Sequence, residues 1–355
     1  MSAASAAPGV VVGAAVPDML ERCRELVRPA LSSALASLDP WTGEVAAFSL
    51  GWRDVTGARA VGAAEGKGVR QALAVLGAEA VGADGTVAVA GAVAVELIHA
   101  FSLLHDDVMD GDVLRRGRET VWKAYGTGPA VLTGDALFAL ALRTLADAPT
   151  VHAAAAVRRL CATLSELVRG QAEDLHFESR PWTGADAVRP REYRAMAERK
   201  TGSLLGCSAA IGGLLGGAPA AAVEALDAAG RHLGVAFQTV DDLLGIWGDP
   251  AVTGKPLHSD LRNRKKTHPV LTALAADNSA ARELAGLLNS STRLDDAELA
   301  RAALLIDEAG GAAAARDEAR RSLDSARACL SGVPLVPRAA RDLDALLTFL
   351  LHRVV

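Results

Sequence analysis

Apolar residues recur at intervals of three and four along most of the chain, the spacing of one buried stripe on an α-helix. This pattern predicts helices over 19–37, 67–81, 86–104, 130–146, 151–176, 191–216 and 220–247. It predicts five more over 268–276, 281–288, 295–309, 312–330 and 338–353. Asp39-Pro40 reads as a stop, and 41–65, rich in Gly and turn residues, as a loop. Loops are also expected over 181–190 and 248–263. No segment alternates convincingly with the two-residue period of a strand, no fixed repeat is visible, and no linker divides the chain. The expectation is an all-α, single-domain bundle over 18–355, with a flexible extension over 1–17. That extension has no basic start, so it makes a poor signal peptide.

The stretch from Thr86 to Leu104 is almost continuously apolar. It is long enough to raise a membrane crossing, yet Glu96 and His99 sit inside it and Asp106-Asp107 follow at once. Ionisable groups toward one end of such a helix favour the centre of a bundle, so no transmembrane span is expected. Composition agrees, with 50% hydrophobic residues, mostly Ala, Leu and Val, and only 4% aromatics. The net charge of −5 lacks the basic excess of a nucleic-acid binder. Four separated cysteines without a CxxC pair argue against structural zinc and disulfides, and for a cytoplasmic protein.

Two acidic motifs change the picture from fold to chemistry. The first runs Asp106-Asp107-Val108-Met109-Asp110 and ends the most apolar segment of the chain. On a helix Asp106 and Asp110 project from one face, with Asp107 beside them. Three like charges at the end of a buried helix make sense if a hard divalent cation neutralises them, and oxygen ligands at this spacing suit magnesium. Arg115 and Arg116 follow, and adjacent guanidinium groups suit the oxygens of a diphosphate. The second motif, Asp241-Asp242, again closes an apolar run, but Gly245 stands where a third carboxylate would complete it. Lys255, Lys265 and Lys266 follow it. Lys67 and Arg70 lie one helical turn apart, fit for a second diphosphate. His99 lies two turns before Asp106 on nearly the same face, and Lys200-Thr201 sits mid-helix among small apolar residues, where a lysine needs an anionic partner. Asp295-Asp296 reads as ordinary first-turn carboxylates.

Together these residues resemble the trans-isoprenyl-diphosphate synthase, or polyprenyl synthetase, family over about 40–350. The resemblance implies a bundle of long helices around a deep apolar cavity, usually a homodimer. It implies that Asp106, Asp110 and Asp241 hold Mg2+, three ions with the allylic diphosphate bound, supported by Asp107 and Asp242. Arg115 would bind the allylic diphosphate and Arg116 the isopentenyl diphosphate, with Lys67, Arg70 and His99 completing the isopentenyl site. Lys200, Lys255 and Lys265 match residues that grip the allylic diphosphate. Thr201 and Gln238 match residues facing the developing cation, and Gln171 and Asp174 a helix face near the metals. The family's lysine-arginine motif usually begins Gly-Gly and ends Arg-Pro; here Glu65-Gly66 and Arg70-Gln71 stand instead. Bulk just before the first motif floors the cavity in this family. Phe101 and Ser102 occupy the fifth and fourth positions before Asp106. One aromatic there resembles enzymes that stop at geranylgeranyl diphosphate, with farnesyl diphosphate next; the primer would be dimethylallyl, geranyl or farnesyl diphosphate. The alternatives are a non-catalytic partner subunit of another synthase and, behind it, a class I terpene cyclase.

Overall fold

The computed structural model describes residues 15–60, 66–250, 254, 256–290 and 293–351. The helices in chain order are α1 (Ala15–Ala36), α2 (Pro40–Ser49), α3 (Val69–Ala80), α4 (Val89–Asp110), α5 (Val121–Tyr125), α6 (Thr127–Ala146), α7 (Ala153–Ser179) and α8 (Pro190–Ala197). There follow α9 (Ser203–Leu215), α10 (Ala220–Trp247), α11 (Ser259–Arg262), α12 (His268–Leu274), α13 (Ser279–Leu288), α14 (Asp296–Glu308), α15 (Gly311–Ser331) and α16 (Pro337–Leu351). Among the described residues the named strands are two short pieces, β1 (Leu114–Arg115) and β2 (Arg118–Glu119), paired antiparallel.

Helix α9 lies at the centre, packed on α3, α4, α7 and α10. Leu97, Ile98, Leu204, Ile211 and Leu233 are fully buried there, each contributing about 1.5–3 kcal/mol of burial. A second apolar cluster at the far end gathers Ile246, Leu261, Val270, Leu284 and Leu299 from α10 to α14. The segments 85–110 and 127–146 are long and apolar enough to cross a membrane. In the fold α4 is wrapped by α3, α6 and α9, which supports the central-helix reading.

Four expectations change, the smallest being that the short helix α11, Ser259–Arg262, forms inside the loop expected over 248–263. Asp39-Pro40 is a helix start: the Asp39 carboxylate accepts from the backbone N–H groups of Trp41 and Thr42, and Pro40 takes the first position, whose N–H needs no partner. Residues 40–49 are therefore helix α2, not loop. Helix α1 begins at Ala15 with Val16 buried, inside the segment read as an extension; residues 1–14 lie outside the described residues. The helix expected over 191–216 is interrupted by a π-helical turn, Glu198–Gly202, which inserts an extra residue and re-aims the side chains it carries.

That turn is gripped by backbone. A Cβ on Gly234 of α10 would collide with Gly202, and one on Gly170 of α7 would stand 2.8 Å from the Lys200 Cα. Only glycine allows both helices to approach the turn that carries Lys200 and Thr201. Gly234→Leu is expected to destabilise by about 1–3 kcal/mol through overpacking, read as a fall in Tm. Activity should fall further than the residual folded fraction explains, because the turn must shift; proportional losses in the two would count against this.

Candidate active site

Helix α4 ends at Gly111, and the chain turns through the tight β1–β2 hairpin, with Arg116 in a left-handed conformation (φ 53°) beside Gly117. The strained corner separates the two arginines. Arg115 turns back: its Nε and Nη2 lie 2.7 and 2.6 Å from Asp107 Oδ1. Asp107 is thus buried against Arg115, which holds it within the first motif. Arg116 points the other way and reaches to 3.0 Å from the position of a Cβ on Gly66.

Asp106 and Asp110 face a pair of lysines from distant elements. Lys265 Nζ donates to Asp110 Oδ2 at 2.9 Å, and Lys200 Nζ to Asp174 Oδ2 at 2.6 Å. Burial alone would lower both ammonium pKa values, yet Asp110 and Asp174 carry them above the ordinary range. Burial pushes Asp106 up to about 6, eased by Lys200 and reinforced by Asp110. Lys200, Asp174 and Asp106 therefore share one field, with cation and carboxylates interleaved.

The second motif divides its labour. Asp242 is 2% exposed and held by three protein donors. Its Oδ2 accepts from the Tyr193 hydroxyl at 2.6 Å and the His268 backbone N–H at 3.0 Å, and its Oδ1 from Gln238 Nε2 at 3.1 Å. Gln238 Oε1 in turn accepts from the Thr201 hydroxyl at 2.9 Å. Asp242 thus anchors a chain that aims Gln238 and Thr201, a different support from lying beside a metal. Tyr193 and His268 were missed from sequence; nothing in their spacing marks them, since they meet Asp242 only through the fold. Asp241 lines the cleft.

A second basic group lies against α4. Arg70, His99 and Arg116 act on one another, and burial with these cations holds the His99 imidazole well below its ordinary pKa. Burial lowers Arg70 to about 10, with Glu96 raising it and Arg116 lowering it further. Its Nε is buried without a partner among the described residues. Glu96 accepts the Gln71 backbone N–H at 3.1 Å, a bond the family's usual proline could not make. The Gln71 departure therefore ties the start of α3 to α4. Lys67 is exposed nearby, its ammonium 5.6 Å from the Phe349 ring centroid.

Beside the lysine–carboxylate pairs opens a cleft of about 340 Å³, whose lining does not include Arg70, His99 or Arg116. It brings together Arg115, Asp174, Lys200, Gln238, Asp241, Asp242 and Lys265, and adds Asp260, which sequence reading passed over. Gln171 is buried nearby on the Asp174 helix, α7, with both amide atoms unpartnered among the described residues. Lys255 and Glu65 lie outside the described residues. Phe101 packs edge-on to His105 and against Phe138, with ring centroids 4.8 and 5.5 Å apart. Ser102 is turned back, its hydroxyl donating to the His99 carbonyl at 2.9 Å.

The polyprenyl synthetase family model matches residues 58–304. The chain belongs to the polyprenyl synthetase family. It is 46% identical over 339 residues to a (2E,6E)-farnesyl diphosphate synthase of Mycobacterium tuberculosis, covering 94% of this chain and 92% of that protein. It is 42% identical over 327 residues to a geranylgeranyl diphosphate synthase of the same species, covering 92% and 90%. A polyprenyl synthetase from Streptomyces coelicolor A3(2) superposes with a TM-score of 0.88 at 47% identity, covering 95% of this chain and 99% of that one. This polyprenyl synthetase is a trans-prenyltransferase acting on isoprenoid diphosphates.

Magnesium is typical of the family, and the residues fit it. The donor set of Asp106, Asp110 and Asp241 is oxygen only, as a hard cation requires. The Lys265 ammonium against Asp110 already supplies positive charge where a cation would lie. Among the described residues no three acidic, His or Cys side chains converge closely enough to hold an ion alone. Mg2+ needs no such cage, because it keeps waters and takes phosphate oxygens into its shell.

Proposed function

We propose that this polyprenyl synthetase condenses isopentenyl diphosphate with an allylic diphosphate, in the presence of Mg2+, to give an all-trans product. The carrying observation is the interleaving of Lys200 and Lys265 with Asp174 and Asp110 across one cleft. On this reading Asp106, Asp110 and Asp241 would hold the metal. Bound magnesium supplies Lewis-acid stabilisation of diphosphate charge. Lys200, Lys265 and Arg115 contribute donors to the allylic diphosphate, strengthening as negative charge grows on its departure. The allylic C–O bond breaks, and its electron pair leaves with the diphosphate. The Thr201 hydroxyl, held on Gln238, turns oxygen lone pairs toward the allylic cation. The isopentenyl double bond attacks that carbon, and the proton lost from the new chain passes to the released diphosphate. Arg70, Arg116, Lys67 and neutral His99 hold the isopentenyl diphosphate, and Gln171 and Asp174 present a helix face near the metals.

The product we assign is geranylgeranyl diphosphate, with farnesyl diphosphate the next choice. Support comes from Phe101, five residues before Asp106, whose ring packs against His105 and Phe138, with the Ser102 hydroxyl turned back onto the His99 carbonyl. The relatives do not separate these products, since one is named for each. A cytoplasmic homodimer is the expected form. Purified protein with isopentenyl diphosphate and dimethylallyl, geranyl or farnesyl diphosphate should give C20 product with Mg2+ and none with chelator. Turnover only after adding a second subunit would replace this reading with that of a non-catalytic partner.

A further inference from the structure

Beside the catalytic cleft lies a second, of about 230 Å³, and Glu178 and Lys266 line both. The second cleft is completed by Arg180, Pro181, Trp182, Arg264, Leu288 and Asn289. Lys266 is 6% exposed, a burial that lysine seldom accepts without a carboxylate. Its ammonium stands 4.3 Å from the Trp182 ring centroid and donates to the Glu178 carbonyl at 3.1 Å. Lys200 and Lys265 each hold a carboxylate, but among the described residues Lys266 has no ion-pair partner. Burial lowers its pKa to about 8, with Arg264 and Arg180 adding to the fall and Glu178 opposing it. Arg264 keeps a left-handed backbone (φ 55°), where glycine would sit without strain. Its Nη2 donates to the Leu288 carbonyl at 2.5 Å, at the end of α13, which fixes the guanidinium by one edge. No carboxylate pairs with its other edge among the described residues. Arg180, by contrast, is spent on Glu192 and on the carbonyls of Asp186 and Ala187. Two cations with donors to spare therefore line one small cleft. Its lining carboxylate, Glu178, is exposed, so water screens it.

Resting on the reaction proposed above, we propose that this second cleft binds inorganic diphosphate, the by-product of condensation, on Lys266 and the free edge of Arg264. A planar guanidinium and a desolvated ammonium are donors matched to phosphate oxygens. Adjacency favours diphosphate as the occupant, because it is released in the neighbouring cleft, whose wall Lys266 shares. The leaving group thus has a second resting place next to the one in which it forms.

The test reads binding with the catalytic sites already filled. The purified full chain is saturated with isopentenyl diphosphate and geranyl thiolodiphosphate, an allylic analogue that ionises too slowly to react, in the presence of Mg2+. Radiolabelled inorganic diphosphate is then added and its uptake followed by equilibrium dialysis. One further diphosphate per chain is expected. Arg264→Gly suits the left-handed backbone, and Lys266→Met keeps an apolar stem against Trp182. Each should weaken this uptake about tenfold or more, the scale of one lost charge-assisted contact. Arg264 lines only the second cleft, so Arg264→Gly should turn over like the wild type at saturating substrate. Tm values separate weakened binding from unfolding. No uptake beyond the filled sites, or uptake unchanged in both variants, overturns the proposal. A chain that binds neither filling ligand overturns the condensation reading and this proposal with it.

Discussion

Asp106→Asn is expected to lower kcat/KM by about a thousandfold or more, equivalent to roughly 4 kcal/mol of transition-state stabilisation. The substitution keeps the shape and removes the charge. Asp106 projects beside Asp110 from the end of α4, in the shared field of Lys200 and Asp174. Burial penalises the charge at this position and Lys200 offsets it only in part, which is why its pKa stands at about 6. A neutral amide relieves that desolvation, so the variant should fold at least as well as the wild type. The loss would fall on the charge that metal and lysines are arranged around, and should appear mainly in kcat and in the Mg2+ concentration needed. Steady-state assays with labelled isopentenyl diphosphate across a magnesium series read both. Activity within tenfold of wild type at saturating Mg2+ would remove Asp106 from the metal-binding set.

Phe101→Ala is expected to lengthen the main product by at least one isoprene unit. Five helical residues place Phe101 about 7.5 Å along α4 from Asp106. Its ring is braced by His105 and Phe138. His105 is itself fixed against Val131, its Nε2 3.1 Å from that carbonyl, and packs where a side chain on Gly134 would stand. Truncating Phe101 therefore opens a hole instead of letting neighbours collapse into it. Phe138→Ala removes only the brace and should give a smaller shift, a mixture of the original and longer chains. Ser102→Ala should leave the distribution unchanged, because its hydroxyl is spent on the His99 carbonyl. Chromatography of the dephosphorylated products distinguishes these outcomes, and an unchanged length in Phe101→Ala would mean the floor lies deeper.

The readable features of the sequence were those carried by local periodicity. The 3.6-residue pattern marked the long helices because each buries one stripe. The i, i+4 carboxylates of Asp106 and Asp110 followed from helix geometry alone. Where one residue type has two local meanings, the reading went astray. Asp-Pro at 39–40 can end one helix or begin the next, and it begins α2 because the Asp39 carboxylate caps backbone donors that follow it. The π turn at 198–202 has no periodic signature of its own. It exists because Gly170 and Gly234, far apart in sequence, let two helices close on it.

By itself, then, the sequence determined the all-helical architecture, the buried course of α4, and the two acidic motifs with their arginines and lysines. Each of these is a property of residues close together in the sequence. Tertiary structure alone decided the pairings: Lys265 with Asp110, Lys200 with Asp174, and Tyr193 and His268 on Asp242. These contacts join residues separated by up to 155 positions. No local spacing encodes them, because they arise only when packing brings separate helices around one cleft.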